Sequence, residues 1–225
     1  MAQAVTAQLH PRGASKAEEA YERILQMLVT LQIQPGDPIH DEELMRELGI
    51  GRTPVREALK RLEVDKLVIT FPKRGTFATR VEISDLAYVS EIRQQLEPMA
   101  AARAARTASE STRAALLETS RQIERFDAAN SSTTDLLTFD AAVHRNIYRA
   151  SGNPYLEDVL IRHSNLATRI WCTVIDRLPR VSTHVKEHLA LLQAIIAGDE
   201  AEAARLAGLH VGQFEQAVRT ALLDL

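Results

Sequence analysis

The feature that most constrains the fold is a succession of helix and turn signals between residues 18 and 81. Apolar residues recur at helical spacing up to Gln34, where Pro35-Gly36 ends the pattern. A short amphipathic stretch follows and ends before Gly49, a residue type suited to a helix C-terminus. After a further amphipathic stretch, two strand-like runs flank a hairpin tip at 72–75. The order helix, helix, turn, helix, hairpin predicts a winged helix-turn-helix.

The helix after the turn is the element best suited to reading DNA. We predict that Thr53 caps it and that Pro54 takes its first position, where a missing N–H costs nothing. Arg52, Arg56 and Lys60 recur at four-residue spacing, opposite an apolar face. Arginine can bind guanine bidentately or clamp a phosphate. On charge alone, a solvated basic helix face remains an equally good interpretation.

The charge of the chain is concentrated in the same region. The whole chain carries a net charge of −3. Residues 18–47 hold two basic and eight acidic side chains, whereas residues 52–80 hold eight basic and three acidic ones. The hairpin tip contributes Lys73 and Arg74 beside Gly75. A localised positive surface of this kind favours contact with a phosphate backbone.

The remainder of the chain predicts a mainly α protein. From Ser84 onward only helical patterns occur, about six in number, and the chain has few Gly, Pro and aromatic residues. We expect a disordered arm at 1–15, the winged helix-turn-helix at 16–81 and an all-helical domain at 82–225. No apolar run is long enough for a signal peptide or a membrane span, so a soluble cytoplasmic protein is expected.

Four residues in the helical part could form a metal site. Asp140 and His144 are four residues apart and share a helix face, while His188 and His210 lie in the middle of two later apolar helices. One carboxylate and three imidazoles suit zinc, nickel or a similar divalent ion. Spacing alone leaves a second interpretation open, in which each histidine is an ordinary hydrogen-bonded core residue.

Residues 21–78 resemble the DNA-binding domain of the GntR family of regulators. The resemblance depends on Gln34-Pro35-Gly36, Glu43-Leu44, Leu48-Gly49, the run Gly51-Arg52-Thr53-Pro54-Val55-Arg56-Glu57-Ala58-Leu59, and Arg74-Gly75-Thr76. It implies that the arginines contact bases or phosphates, that the helix start contacts phosphate and that the wing enters a groove. Together with the basic side chains above, the expected DNA-contacting residues are Gly51, Arg52, Thr53, Arg56, Lys60, Lys73, Arg74 and Gly75.

One departure from the GntR pattern has a structural consequence. Lys66 stands where the family usually has glycine after the recognition helix. A left-handed backbone is expected at this position, at a cost of about 1 kcal/mol for a residue with a Cβ atom.

Residues 84–220 resemble the FCD effector domain of the FadR subfamily of GntR regulators. The matching pieces include Glu91-Ile92-Arg93, Leu96-Glu97, Phe139-Asp140, His144-Arg145, Ala150-Ser151-Gly152-Asn153, Glu187-His188, Gly198-Asp199 and His210. The resemblance implies that Asp140, His144, His188 and His210 hold a divalent metal, with zinc the first choice and nickel or manganese as alternatives. Six helices favour the VanR-like branch over the seven-helix branch.

A metal with open positions could bind a small carboxylic acid as an effector. Arg93 matches the family arginine that would complement the carboxylate, although an exposed pair with Glu97 is the alternative. Asn165, Arg169 and Trp171 could line the same cavity, with ordinary helix packing or surface exposure as the alternative for each.

These expectations combine into a homodimeric, ligand-responsive repressor that binds a palindromic double-stranded DNA operator and has no catalytic residues. One alternative is a regulator that senses the metal itself without an organic effector. A second alternative is a helical metalloenzyme, which the sequence disfavours because no general acid and base accompany the predicted metal ligands. The paired Glu-x-x-His motifs of di-metal bundles are also missing from the sequence.

Overall fold

A computed structural model describes residues 15–127, 130–175 and 181–223, so most of the expected N-terminal arm at 1–15 lies outside the described residues. The fold is mainly α with one small sheet, as the sequence predicted. The elements in chain order are α1 (Lys16–Val29), β1 (Pro38–Ile39), α2 (Asp41–Leu48), α3 (Arg52–Val64), β2 (Val68–Phe71), β3 (Gly75–Ala78), α4 (Ile83–Thr107), α5 (Glu110–Arg125), α6 (Thr133–Ala150), α7 (Pro154–Cys172), α8 (Val181–Ala197) and α9 (Glu200–Leu223).

The chain divides into two compact units, Met1–Val81 and Glu82–Leu225. In the first unit, α1 packs on α3 around a core that includes Ile24, Val55 and Leu62. The three strands pair antiparallel in the order β1-β3-β2. The hairpin of β2 and β3 is the predicted wing, whereas β1 was not predicted because two residues are too few to show a strand pattern.

The start of α3 differs from the prediction. Thr53 is not the N-cap: the helix begins at Arg52, and Gly51 occupies the cap with an extended backbone and no side-chain hydrogen bond. The carbonyl of Gly51 accepts the first helical hydrogen bond, from Val55 N at 3.3 Å. Pro54 therefore stands in the third helical position rather than the first, still within the turn whose N–H groups have no partner inside the helix. The Thr53 side chain is exposed.

Three residues in the first unit lie in the left-handed conformation just after a helix, and the first is Leu31 after α1, at φ 57°. Gly49 follows α2 at φ 68°, as its residue type predicted. Lys66 follows α3 at φ 61°, which confirms the strained backbone expected there. The Lys66 carbonyl accepts a hydrogen bond from Thr79 Oγ1 at 2.9 Å.

The second unit contains six α-helices among its described residues, the number the sequence predicted. The start of α6 is fixed by a capping box between Ser132 and Asp135. Helices α4 and α9 are the longest and pack against each other along their length. Arg106 near the end of α4 contacts Glu200 at the start of α9 at 2.7 Å, and Gln94 within α4 contacts Glu215 at 2.8 Å. The two helices therefore run antiparallel.

Arg113 on α5 closes the ends of two other helices in this unit. Its guanidinium donates to the carbonyls of Ala105 at 2.7 Å and Ile195 at 2.8 Å, and also to that of Ile196. The last carbonyls of a helix have no partner within the helix, so Arg113 satisfies groups that would otherwise be left unpaired. No helix in the described ranges has the length and apolarity to cross a bilayer.

Candidate functional site

All the residues predicted to contact DNA are exposed in the first unit. Arg52, Arg56 and Lys60 are exposed along one side of α3, whereas Val55 and Leu59 are buried. The apolar side of the helix is therefore used for packing, and the basic side is presented to solvent as the sequence predicted.

An open groove of about 850 Å³ joins the recognition helix to the wing. Arg52, Arg56 and Lys60 line one side, and Lys73 and Gly75 of the hairpin tip line the other. The remaining expected DNA contacts lie outside this lining and are Gly51, Thr53 and Arg74. Helix and wing thus present basic side chains to the same space.

The groove also has an acidic edge that the sequence reasoning missed. The first turn of α2 contributes Asp41, Glu42 and Glu43 to its lining. Arg56 Nε donates to Asp41 Oδ2 at 2.8 Å, and Arg52 Nη2 lies 3.5 Å from Glu42 Oε1. The acidic excess of residues 18–47 is the sequence signal for this edge.

Three histidines meet in the second unit. His144 of α6, His188 of α8 and His210 of α9 are all buried, and their ligand-capable nitrogen atoms lie within 4.8 Å of one another. The Nε2 atom of His144 is 3.2 Å from that of His188 and 3.3 Å from that of His210. The structure therefore brings together, from three helices, the histidines that the sequence selected.

The other ring nitrogen of each histidine is tied to an outward partner. His188 Nδ1 donates to the Val185 carbonyl, and His210 Nδ1 donates to Glu187 Oε2, both at 3.2 Å. A carbonyl or carboxylate only accepts, so in the neutral rings the proton is on Nδ1 and the Nε2 lone pair points inward.

The third ring is oriented by a relay. His144 Nδ1 lies 3.1 Å from the Tyr148 hydroxyl, which donates its own proton to Glu97 Oε1 at 2.9 Å. The Tyr148 oxygen therefore accepts from His144 Nδ1, and the Nε2 lone pair of His144 also points inward. Partners of this kind are what orient metal-binding histidines in proteins.

Three inward lone pairs at these distances form a donor set that a cation could occupy. One proton can bridge a single pair of nitrogen atoms, but His144 Nε2 is equally close to two. A metal ion would be held by all three imidazoles, and tetrahedral ligands with bonds of about 2.0–2.1 Å are about 3.3 Å apart. The observed separations of 3.2 and 3.3 Å fit that edge length.

Asp140, the predicted fourth ligand, is buried beside the three histidines. Its Oδ2 atom lies 3.6 Å from His144 Nε2, and its Oδ1 atom lies 3.7 Å from His188 Nδ1. Oδ1 has no hydrogen-bond partner in the described part of the chain. A buried carboxylate needs a cation or a donor, so the donor set fits a divalent ion. Asp140 stands slightly apart, since the close cluster consists of the three imidazoles.

Arg93 has a different setting from either expectation. It does pair with Glu97, Nε to Oε1 at 2.6 Å, but the pair is buried, with side chains 3% and 4% exposed, rather than on the surface. Burial alone would lower the pKa of the guanidinium, yet the charges of Glu97 and Tyr148 outweigh it and raise the pKa of Arg93. Burial and the Glu97 charge likewise raise the pKa of Tyr148.

The other expected effector contacts on α7 are buried, which excludes surface exposure for each. The Trp171 ring meets the Phe214 ring edge-on at 5.3 Å, and the Arg93 guanidinium carbon lies 5.2 Å from the Phe214 ring centre. Asn165 Nδ2 is buried without a hydrogen-bond partner among the described residues. Burial lowers the pKa of Arg169 to about 10.

The residues that orient the histidines were not recognised as such from sequence. Tyr148 is four residues after His144 on one helix face, a spacing that could have identified it. From sequence, Glu97 is a candidate partner of Arg93, and Glu187 belongs to the motif around His188. Glu97 on α4 contacts Tyr148 on α6, and Glu187 on α8 contacts His210 on α9. Both roles therefore depend on how the helices pack.

The first unit has the fold and basic groove of a DNA-binding winged helix-turn-helix, and the second is a helical domain with a buried histidine site. Together they define a transcription regulator. Residues 16–78 match the family described as bacterial regulatory proteins, gntR family, and residues 88–213 match the FCD domain. The chain therefore belongs to the GntR family and carries an FCD domain.

Curated relatives agree with this assignment, and a solved structure shares the fold. The chain is similar to the Nta operon transcriptional regulator of Aminobacter aminovorans, 29% identical over 203 residues that cover 88% of this chain and 94% of that protein. It is 23% identical over 215 residues to the HTH-type transcriptional repressor RspR of Escherichia coli, covering 96% and 93%. The structure of E. coli McbR/YncC shares the fold, with a TM-score of 0.79 at 20% identity, covering 92% of this chain and 98% of that one.

Proposed function

We propose that this DNA-binding regulator is a homodimeric repressor that senses a small carboxylic acid at a metal site in its FCD domain. The observation that carries the proposal is the set of three inward-facing Nε2 atoms around His144, with every Nδ1 atom tied to an outward partner. A histidine that serves only as a core residue has no reason to direct its Nε2 atom toward two other imidazoles.

His144, His188 and His210 would hold the metal, with Asp140 beside them, and zinc is the first choice on donor chemistry, with nickel or manganese as alternatives. When bound, the metal would supply a Lewis-acidic position for one carboxylate oxygen of the effector. The protein's own part is to keep the three rings oriented through Val185, Glu187 and the relay from Tyr148 to Glu97.

Arg169 is a candidate, beside Arg93, for the second contact to the effector carboxylate. An effector at Arg93 would share a guanidinium that already pairs with the buried Glu97 carboxylate. Burial of Arg169 lowers its pKa, which means that its charge has been removed from water at a cost. An anion bound at its guanidinium would offset that cost. Asn165 on the same helix would supply an amide donor, and Trp171 an apolar wall.

The DNA-binding side of the proposal follows from symmetry. Two copies of α3 would read the two half-sites of a palindromic operator in double-stranded DNA, as dimeric helix-turn-helix proteins do. The repressor sense is supported by the name of the relative RspR. A bacterial regulator of this kind would act in the cytoplasm, where the chromosome is.

Elemental analysis of protein purified without chelator tests the metal site. We expect about one divalent ion per chain, as in other mononuclear sites. The double variant Asp140→Ala/His144→Ala should lose it. His163→Ala is the matched control, because His163 lies on α7 and bonds only to the Val159 carbonyl among the contacts described. Full metal content in the double variant would overturn the site.

A thermal-shift screen of small carboxylates against the metal-loaded protein tests the effector class. Ligand at a hundred times its Kd stabilises the folded state by about 2.7 kcal/mol, equivalent to about 5–10 °C for a protein of this size. Matching amides should give no shift, and Arg169→Met should lose the shift while keeping the metal. If no carboxylate acts and metal alone changes DNA affinity, the protein is a metal sensor.

Operator binding tests the recognition helix. A duplex selected from a random library by the wild-type chain serves as the operator. Arg52→Ala/Arg56→Ala should abolish the preference for this duplex, and equal binding by this variant would refute the role of α3.

A further inference from the structure

We infer that Asp41 is a positioning residue that sets the base preference of Arg56. The inference rests on the proposed role of α3 in reading DNA. Arg56 Nε donates to Asp41 Oδ2 at 2.8 Å, and both residues line the groove between α3 and the wing. The contact joins the first turn of α2 to the recognition helix, across fifteen residues of sequence.

The geometry leaves Arg56 able to read a base while it is held. A guanidinium has two edges that can donate two parallel hydrogen bonds. Asp41 uses Nε, so the edge formed by the two terminal nitrogens remains for a bidentate contact such as guanine O6 and N7. The Arg56 side chain is 63% exposed, which keeps that edge accessible from the groove.

Asp41 is itself well fixed, which a positioning residue requires. Its side chain is only 25% exposed, and it stands in the first turn of α2, where the helix dipole stabilises a negative charge. Arg56, in contrast, is a long side chain with rotamer freedom that would otherwise be lost on binding DNA. The ion pair orders Arg56 before the complex forms.

The neighbouring ion pair, Arg52 with Glu42, is longer and more exposed than the pair of Arg56 with Asp41. Arg52 and Glu42 are 3.5 Å apart, and the Glu42 side chain is 84% exposed, so water competes fully for both groups. Glu43 lines the same groove from the same turn. The three carboxylates repel DNA phosphates and so oppose non-specific binding. Of the three, only Asp41 makes a short contact to an arginine of α3.

Two effects must therefore be separated in the test. Loss of any groove carboxylate removes a repulsion with phosphate and should strengthen binding to all DNA. Loss of the Asp41 oxygen should in addition weaken the preferred sequence. The matched set is Asp41→Ala, Asp41→Asn and the control Glu43→Ala. Asp41→Asn removes the charge but keeps an oxygen acceptor for Arg56 Nε, while Glu43→Ala removes a charge of the same turn.

The measurement is the ratio of Kd values for a scrambled duplex and for the duplex selected by the wild-type chain, at one fixed salt concentration. A bidentate base contact contributes about 1–3 kcal/mol of discrimination, which corresponds to about 5- to 150-fold. We expect Asp41→Ala to lower the ratio about tenfold. Asp41→Asn should lie between Asp41→Ala and wild type, and Glu43→Ala should leave the ratio near its wild-type value.

Two outcomes distinguish failure of the inference from failure of the proposed function. If Arg56→Ala binds the selected duplex as wild type does, α3 is not the reading element and the proposed function fails. If Arg56→Ala loses the preference but Asp41→Ala and Glu43→Ala behave alike, only the positioning role of Asp41 is overturned. In the Arg56→Ala background, Asp41→Ala should no longer change the ratio, and any further loss would also overturn the role.

Discussion

The buried pair of Arg93 and Glu97 offers the sharpest test of how the FCD domain is held together. Substituting Glu97→Gln keeps the size and shape of the side chain and retains an acceptor for Arg93 and Tyr148. The only difference is the loss of the negative charge beside the Arg93 guanidinium, which is 3% exposed. Arginine does not lose its proton at neutral pH, so in the variant the buried positive charge of Arg93 no longer has the Glu97 carboxylate as its partner.

The size of the effect follows from that burial. Removing one partner of a buried ion pair costs about 3–5 kcal/mol. The ring of Phe214 lies 5.2 Å from the guanidinium carbon, but this cation–π contact is present in both proteins and cancels in the comparison. We therefore expect Glu97→Gln to lower the free energy of unfolding by about 3 kcal/mol. The double variant Arg93→Met/Glu97→Gln removes both charges and should recover to within about 1 kcal/mol of wild type.

The assay is denaturant unfolding followed by far-UV circular dichroism at neutral pH, with chelator present so that metal affinity does not enter. Glu91→Gln is the control, since it removes the same charge from an exposed position on the same helix. The reasoning is refuted if Glu97→Gln is as stable as Glu91→Gln, or if the double variant loses as much stability as Glu97→Gln alone.

Three further predictions concern stability. Lys66→Gly should raise the free energy of unfolding by about 0.5–1 kcal/mol, because relief of the φ of 61° outweighs the added freedom of the unfolded chain; a decrease measured in denaturant would contradict this. Arg113→Met should lower it by about 3 kcal/mol, since helix-terminal carbonyls lose a charged donor, whereas the exposed Arg121→Met should change it little. Chelator should lower the thermal midpoint of the wild type but not of His188→Ala, and equal responses would argue against the metal site.

Much of the first unit could be predicted because its signals are local. Gly49, the apolar face of α3 and the turn at the wing tip each depend on a few neighbouring residues. The predicted N-cap of α3 is wrong because residue type alone does not fix where a helix begins. Thr53 is a good capping residue by type, but Gly51 takes the extended backbone there without any side-chain bond. Side-chain preference is a weaker guide than backbone freedom at such a position.

The second unit was predictable only in part because its site depends on packing between helices. The positions of His144, His188 and His210 could be selected by resemblance, but their convergence at 3.2 and 3.3 Å is a property of three packed helices. Arg93 and Glu97 share a helix face by spacing, and only the fold decides whether that face is buried. The acidic edge formed by Asp41 was missed for the same reason.

A continuous series of contacts connects the expected effector residues with the proposed metal ligands. Trp171 touches Phe214, Phe214 lies under Arg93, Arg93 pairs with Glu97, and Glu97 accepts from the Tyr148 hydroxyl that orients His144. A ligand that moved any of these groups would alter the orientation of a proposed metal-binding ring. By linkage, the metal must then change the affinity for that ligand by the same factor. Metal and effector should therefore be measured as a coupled pair, because binding of either one alone reports only part of the free energy available to shift the DNA-binding state.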